Sequence, residues 1–248
     1  MGVLSVPVTI IWIVALTNAV NLIDGLDGLA CGVSTISSVT TLVIALLVSE
    51  GDVAVMMGAL AGACIGFLPY NLNPAKIFMG DTGATFLGYI LGTVSVNGMF
   101  KLPTIISFVV PFLILGLPIF DVCFAVVRRL AKGQSPMSPD RSHIHHRLID
   151  MGLSQKQAVG ILYVISAILG LSAVVLTAST AGRAMIFLAA MAAAGLVAAK
   201  LFLHNDPKSG KEEKRPPEAE GPAGRGENSG TENEPEQSSA QGEEDRNG

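Results

Sequence analysis

Aliphatic runs close to 20 residues recur along this chain, and each is long enough to cross a bilayer core about 30 Å thick. They lie at approximately 3–20, 31–49, 53–70, 84–100, 103–121, 158–177 and 184–203. Half of the 248 residues are hydrophobic and only 15% are charged, which is too apolar for an ordinary soluble domain. The expected class is all-α: a polytopic integral membrane protein with about seven transmembrane helices. The opening "MGVLSVPVTIIWIVALTNAV" lacks the basic n-region of a signal peptide, and no small-residue cleavage site leads into a soluble domain. It reads as the first spanning helix. Cys31, Cys64 and Cys123 are far apart, without metal-ligand spacing or a disulfide framework, and read as small buried residues.

The connections between runs are unequal. Three are short and built around "SEGD", "FKLP" and "STAGR"; three are longer and polar, at 21–30, 71–83 and 122–157. Alternation places the longer three on one side of the membrane. Lys76, Arg128, Arg129, Lys132, Arg141, Arg147 and Lys156 fall on that side, against Lys101 and Arg183 on the other. The excess of basic residues marks the cytoplasmic side, so the longer loops and the C-terminus are expected in the cytoplasm. Residues 1–203 form the expected membrane domain. Residues 204–248 are rich in Glu, Gly, Pro, Ser and Asn without apolar periodicity, and are expected to be a disordered acidic cytoplasmic tail.

Each longer loop carries a polar motif. The first, "TNAVNLIDGLDGLA", spaces Asn18, Asn21, Asp24 and Asp27 by three. On a helix each step of three falls about 60° short of a turn, so neighbours share a face but all four cannot line one stripe. Gly25 and Gly28 permit tight backbone and close approach. Capping explains one such residue, hardly four, and carboxylates at membrane depth mark functional sites. The second motif is "NPAKIFMGDTGATFLG", in which Asp81 stands just before a run. Alone it reads as a helix cap. Beside Asp24 and Asp27 it makes three carboxylates that repel unless a cation is present. Hard oxygen ligands favour Mg²⁺ (or Mn²⁺), bound by one or two carboxylates and substrate phosphates. The third motif, "SPMSPDRSHIHHRLIDMG", holds His143, His145 and His146 between Arg141 and Arg147. Zinc is disfavoured, since no Cys accompanies them and arginines repel a cation; arginine beside histidine suits phosphate oxygens. A basic loop that attracts anionic lipid is the plainer reading, but it does not need an H-x-H-H cluster.

Together these loops have the equipment for phosphoryl chemistry on a diphosphate against a membrane, with a lipid as one reactant. The spacing alone names neither sugar nor nucleotide.

"NAVNLIDGLDGLA", "FMGDTGATFLG" and "PDRSHIHHRL" closely resemble the polyprenyl-phosphate N-acetylhexosamine-1-phosphate transferases of glycosyltransferase family 4. "PDRSHIHHR" resembles the branch that transfers N-acetylglucosamine-1-phosphate from UDP-N-acetylglucosamine to undecaprenyl phosphate, at the start of teichoic acid, O-antigen or related cell-envelope glycan synthesis. The alternative branch is the phospho-N-acetylmuramoyl-pentapeptide transferases. The resemblance implies Mg²⁺ at Asp81 and Asn21, and a catalytic pocket lined by Asp24, Asp27 and Asp81. It implies substrate contacts from Asn18, from Phe78 against uracil, and from Arg141, His143, His145, His146 and Arg147. It implies a UDP-sugar and a polyprenyl phosphate as partners, no nucleic acid, a bacterial plasma membrane and a candidate homodimer. Family members also carry an upstream double-aspartate motif and about four more spans, so the chain is expected to be N-terminally truncated. Two further readings follow: an inactive remnant, or an ion-coupled transporter. The transporter reading needs acids along the depth of the spans. Here they gather at one interface, with only Asp121 ending a late run.

Overall fold

A computed structural model describes residues 3–97, 104–131, 133 and 143–179, and all regular structure among them is helical. The helices are α1 (Ser5–Ile23), α2 (Leu29–Leu47), α3 (Gly51–Asn71), α4 (Gly80–Asn97), α5 (Thr104–Ile114), α6 (Gly116–Ala131), α7 (Ile144–Asp150) and α8 (Gln155–Ala178). α1, α2, α3 and α8 are each long and apolar enough to cross a membrane, and α5 with α6 adds a fifth crossing if the pair is one broken span. The all-α, multi-pass membrane architecture is as expected. The expected seventh span, 184–203, and the tail, 204–248, lie outside the described residues.

Two expected spans take a different form. The span placed at 84–100 begins instead at Gly80, and so draws the polar Gly80-Asp81-Thr82-Gly83 into the first turn of α4. These residues lower its mean hydropathy, and α4 is not among the four apolar crossings. The span placed at 103–121 is broken at Leu115, where its two halves meet at 83°. Proline supplies the cause. Pro118 has no N–H to give the carbonyl of Ile114 one turn earlier. That carbonyl instead accepts a 3.0 Å hydrogen bond from the buried Ser37 hydroxyl of α2. The cysteines also divide: Cys31 and Cys64 are buried as expected, whereas Cys123 is exposed on α6.

α2 packs against α3 and α8, α1 against α4 and α6, and α5 against α8. Small residues let the backbones approach, as is common where lipid gives helices no hydrophobic drive to associate. A Cβ on Gly88 would lie 2.7 Å from Thr17 Cα, and one on Gly170 would lie 2.5 Å from Thr40 Oγ1. Trp12 Nε1 of α1 donates to Ser95 Oγ of α4 at 2.8 Å. Leu16, Val20, Ile44, Met57, Leu91 and Val110 belong to the main core. A smaller cluster of Ile23, Leu29, Val33, Leu117, Val159 and Leu162 sits where α1 ends and α2 and α8 begin, and forms the apolar floor beneath the polar motifs. Large apolar side chains such as Ile11, Val55, Phe108, Val164 and Leu171 point outward, a surface that lipid solvates better than water.

Ser37→Ala leaves the Ile114 carbonyl without its donor, and should destabilise the chain by about 1–3 kcal/mol. Thermal unfolding in detergent measures this. In a Pro118→Ala background, where residue 118 regains an N–H, the same substitution should cost clearly less. An equal cost in both backgrounds would separate the serine bond from the proline break.

Candidate functional site

The first motif straddles the end of one helix and the start of the next. Asn18 and Asn21 sit on the last turns of α1, so the connection expected at 21–30 shortens to 24–28. Asp24 ends α1, with its N–H bonded to Asn21 O at 3.2 Å. Gly28 opens α2 in the left-handed region, at φ 79°, where a side chain would be strained. A Cβ there would also meet Leu72 Cδ2 at 2.9 Å. The Gly28 carbonyl accepts from Gly32 N at 2.8 Å and from the Tyr163 hydroxyl of α8 at 2.5 Å.

Asp27 ties this turn to the second motif. Its Oδ2 accepts from Asn73 Nδ2 at 3.0 Å and from Ala75 N at 3.1 Å. The same Asn73 amide donates to Gln155 Oε1 at 2.7 Å, at the start of α8. One carboxylate thus holds the loop before α4 against the α1–α2 turn. Beyond that loop Gly80 (φ 66°) turns the chain into α4, and Asp81, expected as a metal-binding carboxylate just before the run, falls in the first turn of α4 and is exposed. Phe78 is also exposed, at the edge of an apolar groove of about 290 Å³ that includes Cys31, Cys64, Phe67 and Phe86.

The third motif packs onto the first. His145 is buried against Gly25, where an added Cβ would lie 2.5 Å from its Nε2. The His143 and His145 rings stack at 5.8 Å and 4°, and the His146 ring lies 4.3 Å from that of His145. His143 Nδ1 lies 2.8 Å from Asp121 Oδ2 on α6. The guanidiniums of Arg128 and Arg147 approach the Phe124 ring at 5.7 and 5.8 Å. Gly152 (φ 89°) turns the chain just beyond the end of α7, and α8 starts with a capping box between Ser154 and Gln157.

Like charges meet in this cluster. Burial first, then the charges of Asp81 and Asp27, push the Asp24 carboxyl from 3.8 up to about 6. Burial and His146 bring His145 down to about 4, so it is neutral near pH 7. Among the described residues, no three His, Cys, Asp or Glu side chains converge to hold an ion by themselves. The chain does offer a partial oxygen set. Asn21 Oδ1 is buried with no hydrogen-bond partner among the described residues, and Asp24 carries the electrostatic cost of two neighbouring carboxylates. Such a set suits a Mg²⁺ ion that completes its shell with phosphate oxygens.

The motif residues Asp24, Asp27, Asp81, His143, His145, His146 and Arg147 thus gather at one end of the bundle. Asn18 lies apart in its bonding: it is exposed, and its amide donates back to Val14 O at 2.8 Å. Arg141 lies outside the described residues. Three contributors were not singled out from the sequence: Asn73, Asp121 and Tyr163. Only Asp121 carried a signal, as a lone acid at the end of an apolar run.

Residues 1–99 match the family model described as glycosyl transferase family 4. The chain is 49% identical over 182 residues to a Bacillus subtilis (strain 168) protein named "Probable undecaprenyl-phosphate N-acetylglucosaminyl 1-phosphate transferase", covering 73% of this chain and 50% of that protein. It is 39% identical over 178 residues to the Mycolicibacterium smegmatis decaprenyl-phosphate N-acetylglucosaminephosphotransferase, covering 64% and 44%. A Thermotoga maritima protein named undecaprenyl-phosphate alpha-N-acetylglucosaminyl 1-phosphate transferase is 40% identical over 140 residues, covering 55% and 40%. The chain spans about half the length of the curated relatives it matches.

Asp24 titrates high because its charged form is disfavoured, so its contribution to stability is full below 3.8 and is lost as pH rises through about 6. Asp81→Asn removes one repelling charge and should shift Asp24 downward. Infrared titration of the carboxyl band reads this directly. Mg²⁺ affinity of the unsubstituted chain should weaken as pH falls through about 6, since protonation removes a negative charge from the cluster. A pH-independent affinity would separate Asp24 from the cation.

Proposed function

We propose that this chain, which belongs to glycosyl transferase family 4, transfers N-acetylglucosamine 1-phosphate from UDP-N-acetylglucosamine to undecaprenyl phosphate. The observation that carries this reading is the meeting of three motifs at one end of an apolar bundle. Carboxylates gather around Asp24, His145 closes over Gly25, and Arg147 lies over Phe124. A polar site at the rim of lipid-facing helices suits a reaction between a water-borne nucleotide sugar and a lipid phosphate. The names of the relatives from Bacillus subtilis and Thermotoga maritima support the same acceptor and sugar.

In this reading a phosphate oxygen of the lipid attacks the β-phosphorus of the UDP-sugar. A new P–O bond forms there, the bond to the α-phosphate oxygen breaks, and UMP leaves. Asp81 and Asn21 would hold a divalent cation, which would supply charge stabilisation at the diphosphate. Arg147, His143 and His146 suit the anionic oxygens of the diphosphate. Phe78, exposed beside the groove, offers a ring face to uracil. Asp27 holds the first two motifs in register through Asn73 and Ala75, and Asp24 stands in the carboxylate cluster with Asp81 and Asp27.

Lys76 lies in the loop before α4, Arg128 in the last turn of α6, Arg147 on α7 and Lys156 at the start of α8. Their sign favours the cytoplasmic face of a bacterial plasma membrane.

UMP release from UDP-N-acetylglucosamine and undecaprenyl phosphate, with and without Mg²⁺, tests the reading. The assay is run on the chain and on a hybrid carrying the N-terminal half of the Bacillus subtilis relative. Metal-dependent release is expected. Asp81→Asn should lower it by about 10²–10³-fold, the scale of losing one charge-stabilising group, with folding retained by circular dichroism. The absence of product from both proteins would overturn the reading, and a preference for UDP-N-acetylmuramoyl-pentapeptide would move it to the other branch.

A further inference from the structure

The helix that carries the histidines is held by a side chain outside all three motifs. Asp121 is 3% exposed on α6, just beyond the α5–α6 break. Its two oxygens act on consecutive residues. Oδ2 lies 2.8 Å from His143 Nδ1, and Oδ1 accepts the Ile144 N–H at 2.7 Å. The carboxylate therefore grips both the ring of His143 and the first backbone amide of α7. α7 has only seven residues, too few to keep a helix or an orientation alone. From His143 the contact continues by parallel stacking to His145, and from His145 to the bare Cα of Gly25.

We propose that Asp121 is a positioning residue that holds His143 with its proton on Nδ1 and, through that ring, seats the histidine motif on the aspartate-bearing turn. Its catalytic consequence rests on the function proposed above; the proton placement and the seating do not.

The chemistry follows from donor counting. An ionised carboxylate only accepts hydrogen bonds. With Oδ1 filled by an amide and Oδ2 facing the imidazole, Nδ1 must supply the hydrogen. The acid–base chemistry of the ring is then confined to Nε2. When a solvent proton adds there, the imidazolium is balanced by the same carboxylate, as a group that meets phosphate oxygens requires. The competing arrangement, a protonated Asp121 donating to a bare Nδ1, places the imidazole hydrogen on Nε2.

Asp121→Asn separates the two duties. The amide oxygen can still accept from Ile144, but its NH₂ then faces His143 and donates, which forces the ring into the Nε2–H form. Asp121→Ala removes both contacts. The experiment uses the 248-residue chain in detergent with ¹⁵N-labelled histidine rings, well above the ordinary imidazole pKa, and His143→Gln identifies the His143 signals among the four histidines. The expected result is Nδ1–H in the unsubstituted protein and Nε2–H in Asp121→Asn. Hydrogen exchange over 143–150 should stay slow in Asp121→Asn and become fast in Asp121→Ala. In the UMP assay Asp121→Asn should lower kcat about tenfold or more, with KM for UDP-N-acetylglucosamine within about threefold, the pattern of a contact used in the transition state.

An Nε2–H ring in the unsubstituted chain, or an unchanged tautomer in Asp121→Asn, would overturn the proposal. A reversed tautomer with unchanged kcat would overturn the catalytic half. If neither the unsubstituted chain nor its hybrid turns over but the tautomers are as expected, the transferase reading fails and the proton placement by Asp121 stands.

Discussion

A helix broken inside lipid has no water to take up its freed carbonyls, and the geometry of the candidate site depends on how this chain meets that constraint. Between α5 and α6 the unpaired carbonyl of Ile114 finds the Ser37 hydroxyl of α2. With that bond in place the two halves can meet at 83°. The bend carries α6, and Asp121 on its first turns, to the end of the bundle where α1 stops. From there each link is short: Asp121 to His143, His143 onto His145, His145 against Gly25. An unbroken span would aim α6 along the bundle and leave α7 without its anchor.

The three carboxylates at this end are not equivalent. Asp27 accepts two N–H groups on one oxygen and so holds the loop before α4. Asp81 is exposed in the first turn of α4, where backbone N–H groups favour negative charge. Asp24 is half-buried between them and absorbs the repulsion, which is why its carboxyl is displaced to about 6. Loss of a proton there is costly, and a bound cation lowers that cost. Arg128 and Arg147 over Phe124 bring the opposite sign to the histidine-bearing helix and α6. In the proposed reading the carboxylates suit the cation and the guanidiniums suit the diphosphate.

Much of this was legible in the residues because lipid sets strict terms. Run length alone identified α1, α2, α3 and α8, since about 20 apolar residues have few other fates. Polar motifs between such runs stood out for the same reason. The α5–α6 break was harder to read: Pro118 is visible, but prolines are tolerated in spanning helices when a neighbour satisfies the carbonyl, and Ser37 is 77 residues from Ile114. The start of α4 was missed because "GDTG" looks like a loop by composition. Asn73 and Tyr163 could not be found by pattern, because each acts through one long-range hydrogen bond, to Asp27 and to Gly28.

The H-x-H-H cluster is likewise three different groups. His143 is tied to a carboxylate and His146 is exposed beside Arg147. His145, in the middle, is neutral near pH 7, because burial and its neighbour His146 hold it down to about 4. A histidine whose folded pKa is depressed adds stability that is full above the ordinary 6.5 and is lost as pH falls through about 4. His145 therefore serves packing, as the neutral ring that fills the space left by Gly25. A Cβ on residue 25 and a proton on residue 145 disturb the same contact, one by volume and the other by charge. Positive charge toward an anionic ligand then falls to Arg147 on the same helix.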